Sequence, residues 1–222
     1  MKLLAIETSS AACSVALAID DEIFAFHKIA PMQQSQMILP MIDELLKSKN
    51  MALNQLDALA FGCGPGSFTG VRIATSVTQG LAYALNLPVI PISSLAALAQ
   101  TAYQEKGYTK LLVAVDARIQ EVYWAAYEVN DKGLVVLCEN EHVSRPEDIK
   151  APDDSWNGVG NAWDVYKDHI IHKPIELYSS CFPTATGVAR LAKEKYNQQA
   201  WLSAADISPT YLRDSVAKKS QS

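Results

Sequence analysis

Apolar and polar positions alternate in short bursts at the start of the chain. Leu3 to Glu7, Ser14 to Ile19 and Glu22 to Ile29 read as strands, and Asp20-Asp21 turns between the last two, so the chain opens on an antiparallel meander. The period then lengthens. Met37, Ile38, Met41, Ile42, Leu45 and Leu46 recur at helical spacing, which predicts a helix over Ser35 to Ser48 whose apolar stripe is wider than one contact needs. Pro40 fits only a first turn or a kink, so the regular helix is expected to begin near Leu39. Leu56 to Phe61 is a short, mostly apolar run ending in glycine, as in a buried strand. A helix from Thr69 to about Leu85 follows, capped by Ser67 or Thr69. Strand Val89 to Ile92 comes next, then a helix capped by Ser93 or Ser94 that ends by Gly107.

The pattern restarts after Gly107. Leu111 to Val115, Glu121 to Val129 and Leu134 to Glu139 read as strands, with Asp131-Lys132-Gly133 as a turn. Helices are expected over Arg145 to Lys150, Ala162 to Ile170 and Thr184 to Tyr196. Two lobes led by three strands each, residues 1–106 and 107–222, suggest a duplicated α/β fold, although no clear sequence repeat accompanies them.

Composition narrows the class. The 222 residues are long enough for real cores, and 49% hydrophobic with 19% charged residues fits a soluble globular protein. A net charge of −5 argues against a protein that grips nucleic acid alone through a broad basic face. The basic pair Lys218-Lys219 falls in a polar tail, Ser215 to Ser222, expected to fray. Cys13, Cys63, Cys138 and Cys181 are scattered without a C-x-x-C pair, so neither a zinc ribbon nor a disulfide framework is indicated. Only four apolar residues separate Lys2 from Glu7, and no segment has the length of a membrane span, so a cytoplasmic protein is expected.

Candidate chemistry gathers at Gly62-Cys-Gly-Pro-Gly-Ser-Phe-Thr-Gly-Val-Arg-Ile73, a strand-to-helix junction. Its glycines Gly64, Gly66 and Gly70, with Ser67 and Thr69, permit either a tight turn that packs helix on sheet or an anion at the helix N-terminus. It is neither a P-loop nor a nucleophile elbow. Arg72 faces the positive end of the helix dipole, so it calls for a carboxylate or phosphate partner or else extends into water. Asp116 with Arg118 at a strand end could hold magnesium or form an ion pair fixing a cleft between lobes. His169 and His172 could share a helical face but have no third ligand, and the first helix offers Gln33, Gln34, Ser35 and Gln36 where a metal would need histidines or carboxylates. Tyr123, Trp124 and Tyr127 read as core strand rather than a base-stacking platform.

A three-stranded meander followed by alternating helices and strands, twice over, resembles the actin, sugar-kinase and Hsp70-ATPase fold. Ile6-Glu-Thr-Ser, Ala12 to Leu17, Ile38 to Leu46, Gly64 to Ile73, Val115-Asp-Ala-Arg118, Glu121 to Ala125 and Pro209-Thr-Tyr-Leu-Arg213 together resemble the bacterial TsaB (YeaZ) family of tRNA threonylcarbamoyladenosine biosynthesis. The resemblance implies a non-catalytic scaffold that pairs with a TsaD-like paralogue, the enzyme that transfers threonylcarbamoyl to adenosine in the tRNA anticodon loop. A TsaE-like ATPase completes the complex, the isolated chain forms a homodimer, and tRNA binds only within the complex. It implies no cofactor or metal. Thr8, Ser9, Asp116 and Arg118 then mark a vestigial nucleotide or anion cleft, because Glu7 to Ala12 and Asp116-Ala-Arg lack the glycines of phosphate turns. Ser76, Gly80 and Ala84 form a line of small side chains beside Ile73 and Val77. With Met37, Met41, Leu45 and Arg72 they are the expected helical interface. The rival readings are a small-molecule or nucleotide phosphotransferase using the cleft, and a metallopeptidase.

Overall fold

The computed structural model describes residues 1–213; the basic pair and the polar tail lie outside them. Strands β1 (Lys2–Glu7), β2 (Ala12–Ile19), β3 (Glu22–Ile29), β4 (Ala58–Gly62) and β5 (Val89–Ile92) form one sheet in the order β3-β2-β1-β4-β5. The meander is antiparallel, while β4 and β5 run parallel to β1. Strands β6 (Lys110–Arg118), β7 (Glu121–Val129), β8 (Val135–Leu137), β9 (His142–Ser144), β10 (Asn157–Val159) and β11 (Leu177–Tyr178) form the second sheet. Here β7 is antiparallel to β6 and pairs with both β8 and β9, whereas β10 and β11 are parallel to β6. The same succession of meander and parallel strands therefore occurs twice, the two-lobed actin-like fold.

Large and small residues alternate along the first sheet, and because successive side chains point to opposite faces, each face has its own helices. Leu4, Ile6, Val15, Leu17, Leu59 and Phe61 pack beneath helices α1 (Gln34–Ser48) and α2 (Phe68–Leu85). Leu3, Ala5, Ala16, Ala18, Ala58 and Ala60 line the other face, where Ala185, Val188, Ala189 and Ala192 of α5 (Ala185–Asn197) lie on them. Small side chains there let the helix approach closely. Helix α3 (Ser94–Lys106) instead buries Leu95, Leu98, Ala99 and Ala102 against Leu111, Val113, Ala125 and Tyr127 of the second sheet. Each sheet is thus covered on its inner side by a helix from the other half of the chain, and α3 and α5 touch where the Gly187 Cα lies under the Ala97 carbonyl.

Several boundaries differ from expectation. Pro40 lies inside α1, exposed on its outer side, and the helix begins at Gln34 rather than near Leu39. Met41 and Leu45, expected at an interface, are buried in the core with Ile38, Ile42 and Leu46, and Met37 packs against them. Both apolar rows of α1 are spent on the first sheet. Arg145 to Lys150 forms only a 3-10 turn at Pro146–Asp148. The helix expected over Ala162 to Ile170 is the short α4 (Ala162–Val165), after which the chain turns back so that Ile170 joins Trp156 and Trp163 in the core. Strand β7 is buried on both faces, Val122 and Trp124 on one side and Ala125 and Tyr127 on the other.

Candidate functional site

The signature loop leaves β4 and caps α2 through Ser67, whose Oγ accepts from the Gly70 amide at 3.4 Å; Thr69 lies within the helix. Its glycines face the loop that follows β1. The Ser67 amide donates to the Ser9 carbonyl at 2.7 Å, and the Thr8 hydroxyl donates to the Gly70 carbonyl at 2.7 Å. A Cβ on Gly66 would stand 2.7 Å from the Ser9 carbonyl oxygen, and one on Gly70 only 2.0 Å from that of Thr8. The close approach that these glycines permit is therefore made by the chain's own backbone. Gly64 takes φ +97, and the Thr210 amide reaches across to the Cys63 carbonyl at 2.7 Å.

Beneath the loop lies Glu7, 1% exposed. Its Oε1 accepts from the Ser9 amide at 2.6 Å and its Oε2 from the Ser94 hydroxyl at 3.0 Å, while the Ser94 oxygen accepts from the Gly64 amide at 3.2 Å. One carboxylate thus ties the end of β1, the signature loop and the start of α3. Ser93 rather than Ser94 caps that helix. Burial raises the Glu7 pKa above the usual carboxylate range, against the opposing pull of the Ser9 and Ser94 hydrogen bonds. A raised folded-state value means that the contribution to stability is complete below the ordinary glutamate pKa and is lost as pH rises through the folded value. Glu7→Gln should flatten this dependence: thermal melts between about pH 5 and about pH 8 should show a steeper loss for the native chain than for the variant. Parallel curves would sink this account.

The signature loop forms one wall of a cleft of about 880 Å³ between the lobes. The opposite wall is the end of β6. Asp116 Oδ1 accepts from the Arg118 amide and from the Tyr166 hydroxyl, both at 2.8 Å, and Oδ2 pairs with Arg118 at 3.2 Å. Of the two readings for this pair, the structure contains the ion pair. The Asp116 amide in turn donates to the Asn161 side-chain oxygen at 3.0 Å. Arg118, Ile119 and Gln120 take φ of 65, 55 and 58 at the hairpin tip. Left-handed backbone in a non-glycine residue costs roughly 1–2 kcal/mol each, so this turn is strained.

Arg72 has no carboxylate partner among the described residues. Its guanidinium lies 3.6 Å from the centre of the Phe68 ring, and its Nε donates to the Tyr211 hydroxyl at 3.1 Å. Arg213 donates to the Ala117 carbonyl at 3.3 Å and pairs with Glu121. The segment from Thr210 to Arg213 therefore straps the signature loop to the β6–β7 hairpin. Phe68, Tyr166, Tyr211 and Arg213 received no role from the sequence, although Phe68 belongs to the Gly64 to Ile73 motif and Tyr211 and Arg213 to Pro209-Thr-Tyr-Leu-Arg213.

Ser9, Asp116 and Arg118 line this cleft, Ser9 with little exposure, but Thr8 is sealed beneath the signature loop. His169 and His172 lie beyond α4 and share no helical face. Among the described residues no group of three or more His, Cys, Asp or Glu could hold a metal ion. Cys13 is pushed up to about 11 by burial and then by Glu7, and burial also raises Cys63, so both thiols stay protonated and inert at neutral pH. On α2, Ile73 and Val77 pack half-buried on the core, while Ser76, Gly80 and Ala84 are exposed. No helix among the described residues is long and apolar enough to cross a membrane.

Two lobes of equivalent topology about a cleft, with the loop after β1 held against the signature loop, define an actin-like fold. The family model described as TsaD, tRNA N6-adenosine threonylcarbamoyltransferase, matches residues 28–220, and the chain belongs to the TsaB (YeaZ) family that shares this fold. The tRNA threonylcarbamoyladenosine biosynthesis protein TsaB of Escherichia coli (strain K12) is 36% identical over 99% of this chain and 97% of its own length. The protein of that name from Haemophilus influenzae is 39% identical, over 99% and 96%. The solved structure of YeaZ from Pseudomonas aeruginosa superposes with a TM-score of 0.92 at 41% identity, covering 95% of this chain and 99% of that one.

Proposed function

We propose that the chain takes part in tRNA threonylcarbamoyladenosine biosynthesis as a non-catalytic subunit, which supports threonylcarbamoyl transfer to tRNA by a TsaD-like paralogue. The observation that carries this reading is the closed loop after β1: the Thr8 hydroxyl is spent on the Gly70 carbonyl and the Ser9 amide on the Glu7 carboxylate, donors that a phosphotransferase would present to phosphate. The second carboxylate, Asp116, is likewise engaged by Arg118 and Tyr166. The small side chains exposed on α2 supply the docking surface, used by a second copy of the chain or by the paralogue in competition. A TsaE-like ATPase joins through the complex.

Affinity capture of the native chain from its own cells should return the TsaD-like protein, and the purified chain alone should neither hydrolyse ATP, cleave peptides nor modify tRNA. Turnover that survives rigorous purification and vanishes in Asp116→Ala would overturn the scaffold reading in favour of a phosphotransferase.

A further inference from the structure

Arginine is scarce in this chain and unevenly placed. Three of its five arginines, Arg72, Arg118 and Arg213, line the interlobe cleft, although the chain as a whole carries a net charge of −5. Among the described residues the same lining contains a single carboxylate, Asp116, whose charge is already shared between Arg118 and Tyr166. Arg213 is paired with Glu121 outside the lining and Arg118 with Asp116, which leaves Arg72 as the cleft arginine without a carboxylate among the described residues, a local positive charge in an acidic molecule.

Flat apolar surface stands beside that charge. Phe68 and Tyr211 are 52% and 48% exposed, with ring centroids 5.9 Å apart. Arg72 bridges them, and its two terminal nitrogens make no hydrogen bond to a described residue. Across the opening, the strained hairpin holds the Arg118 side chain 86% exposed, with donors to spare beyond its pair with Asp116. Arginine forks suit phosphate oxygens, and aromatic rings accept any base on their faces.

We propose that this rim docks a single-stranded segment of RNA, with phosphodiester oxygens on Arg72 and Arg118 and a base stacked at Phe68 and Tyr211. The inference rests on the reading given under Proposed function, in which that strand belongs to the tRNA being modified. A strand fits better than a free nucleotide for a structural reason. A di- or triphosphate needs a cradle of backbone amides, and in the loop that would provide it the Ser9 amide is spent on Glu7 and the Ala12 amide on the Ser10 hydroxyl, whereas isolated phosphodiesters need only the two guanidinium groups.

The test is fluorescence anisotropy of a short labelled single-stranded RNA titrated with the full chain at several salt concentrations. Binding should be micromolar or weaker and should fall with salt at a log–log slope of roughly −1.4, about −0.7 for each of two phosphates. Arg72→Gln and Arg118→Gln should each weaken binding about threefold or more and reduce the slope by about 0.7. Phe68→Ala should weaken binding with the slope unchanged, because stacking releases no counterions. Arg145→Gln and Arg190→Gln, outside the cleft, should alter neither quantity. Absence of binding at low salt, equal losses in the outer and cleft variants, or full displacement by equimolar adenosine monophosphate would each overturn the assignment. Partner capture through α2 is read separately, so failure of this docking site is distinguishable from failure of the subunit role.

Discussion

Gly70→Ala is expected to destabilise the chain by more than about 4 kcal/mol, while Gly80→Ala in the same helix should stabilise it by about 0.5–1 kcal/mol. The added methyl at Gly70 would lie 2.0 Å from the Thr8 carbonyl oxygen, which is backbone at the end of a buried strand and cannot turn aside. Relief requires moving α2 away from β1, and that movement also breaks the Thr8-to-Gly70 hydrogen bond within a well-packed interior. At Gly80 nothing lies within 4 Å of the added carbon, and alanine reduces the freedom of the unfolded chain. Urea denaturation of the two variants checks the contrast. A Gly70→Ala protein within about 1 kcal/mol of the native one would mean that the loop contacts yield far more readily than backbone should.

Ser76→Arg and Gly80→Arg should leave a folded monomer that no longer dimerises or retains its paralogue. Both positions are exposed on α2, so neither arginine opens the core, but each places a long charged chain on the line where a partner helix would approach. A loss of at least roughly 30-fold in capture is expected, the equivalent of about 2 kcal/mol at an interface hot spot. Sizing chromatography and pull-down measure the loss, and circular dichroism verifies the fold. An intact dimer for both variants, or unfolding of both, would move the interface elsewhere.

The first lobe was largely legible because its signals are local. The meander, the apolar run before Gly62 and the serine caps each announce themselves within a few residues. Helix α1 shows where local reading stops: a wide stripe signals extensive burial, yet whether the second row meets a partner or the chain's own sheet depends on the depth of the fold, and here Met41 and Leu45 point inward. The second lobe was harder. Strands β9, β10 and β11 span three, three and two residues, too short for periodicity to register, and they exist because β7, β6 and β10 respectively offer edges to pair with. At the cleft, Asp116 and Arg118 were visible as a pair two residues apart. Their association with Tyr166, and that of Arg72 with Tyr211, joins residues 50 and 139 positions apart, a separation no local pattern encodes.

The crossed helices bear on how the molecule comes into being. When the first 106 residues have left the ribosome, the first sheet can already pair its five strands, but the face formed by Leu3, Ala5, Ala58 and Ala60 has no cover until α5 emerges with residues 185–197. For the interval in which the second sheet is translated, that face is an apolar surface without a partner, open to chaperones or to another nascent copy. Completion of the first lobe thus waits on the synthesis of nearly the whole of the second, so the two lobes mature as one cooperative event late in translation.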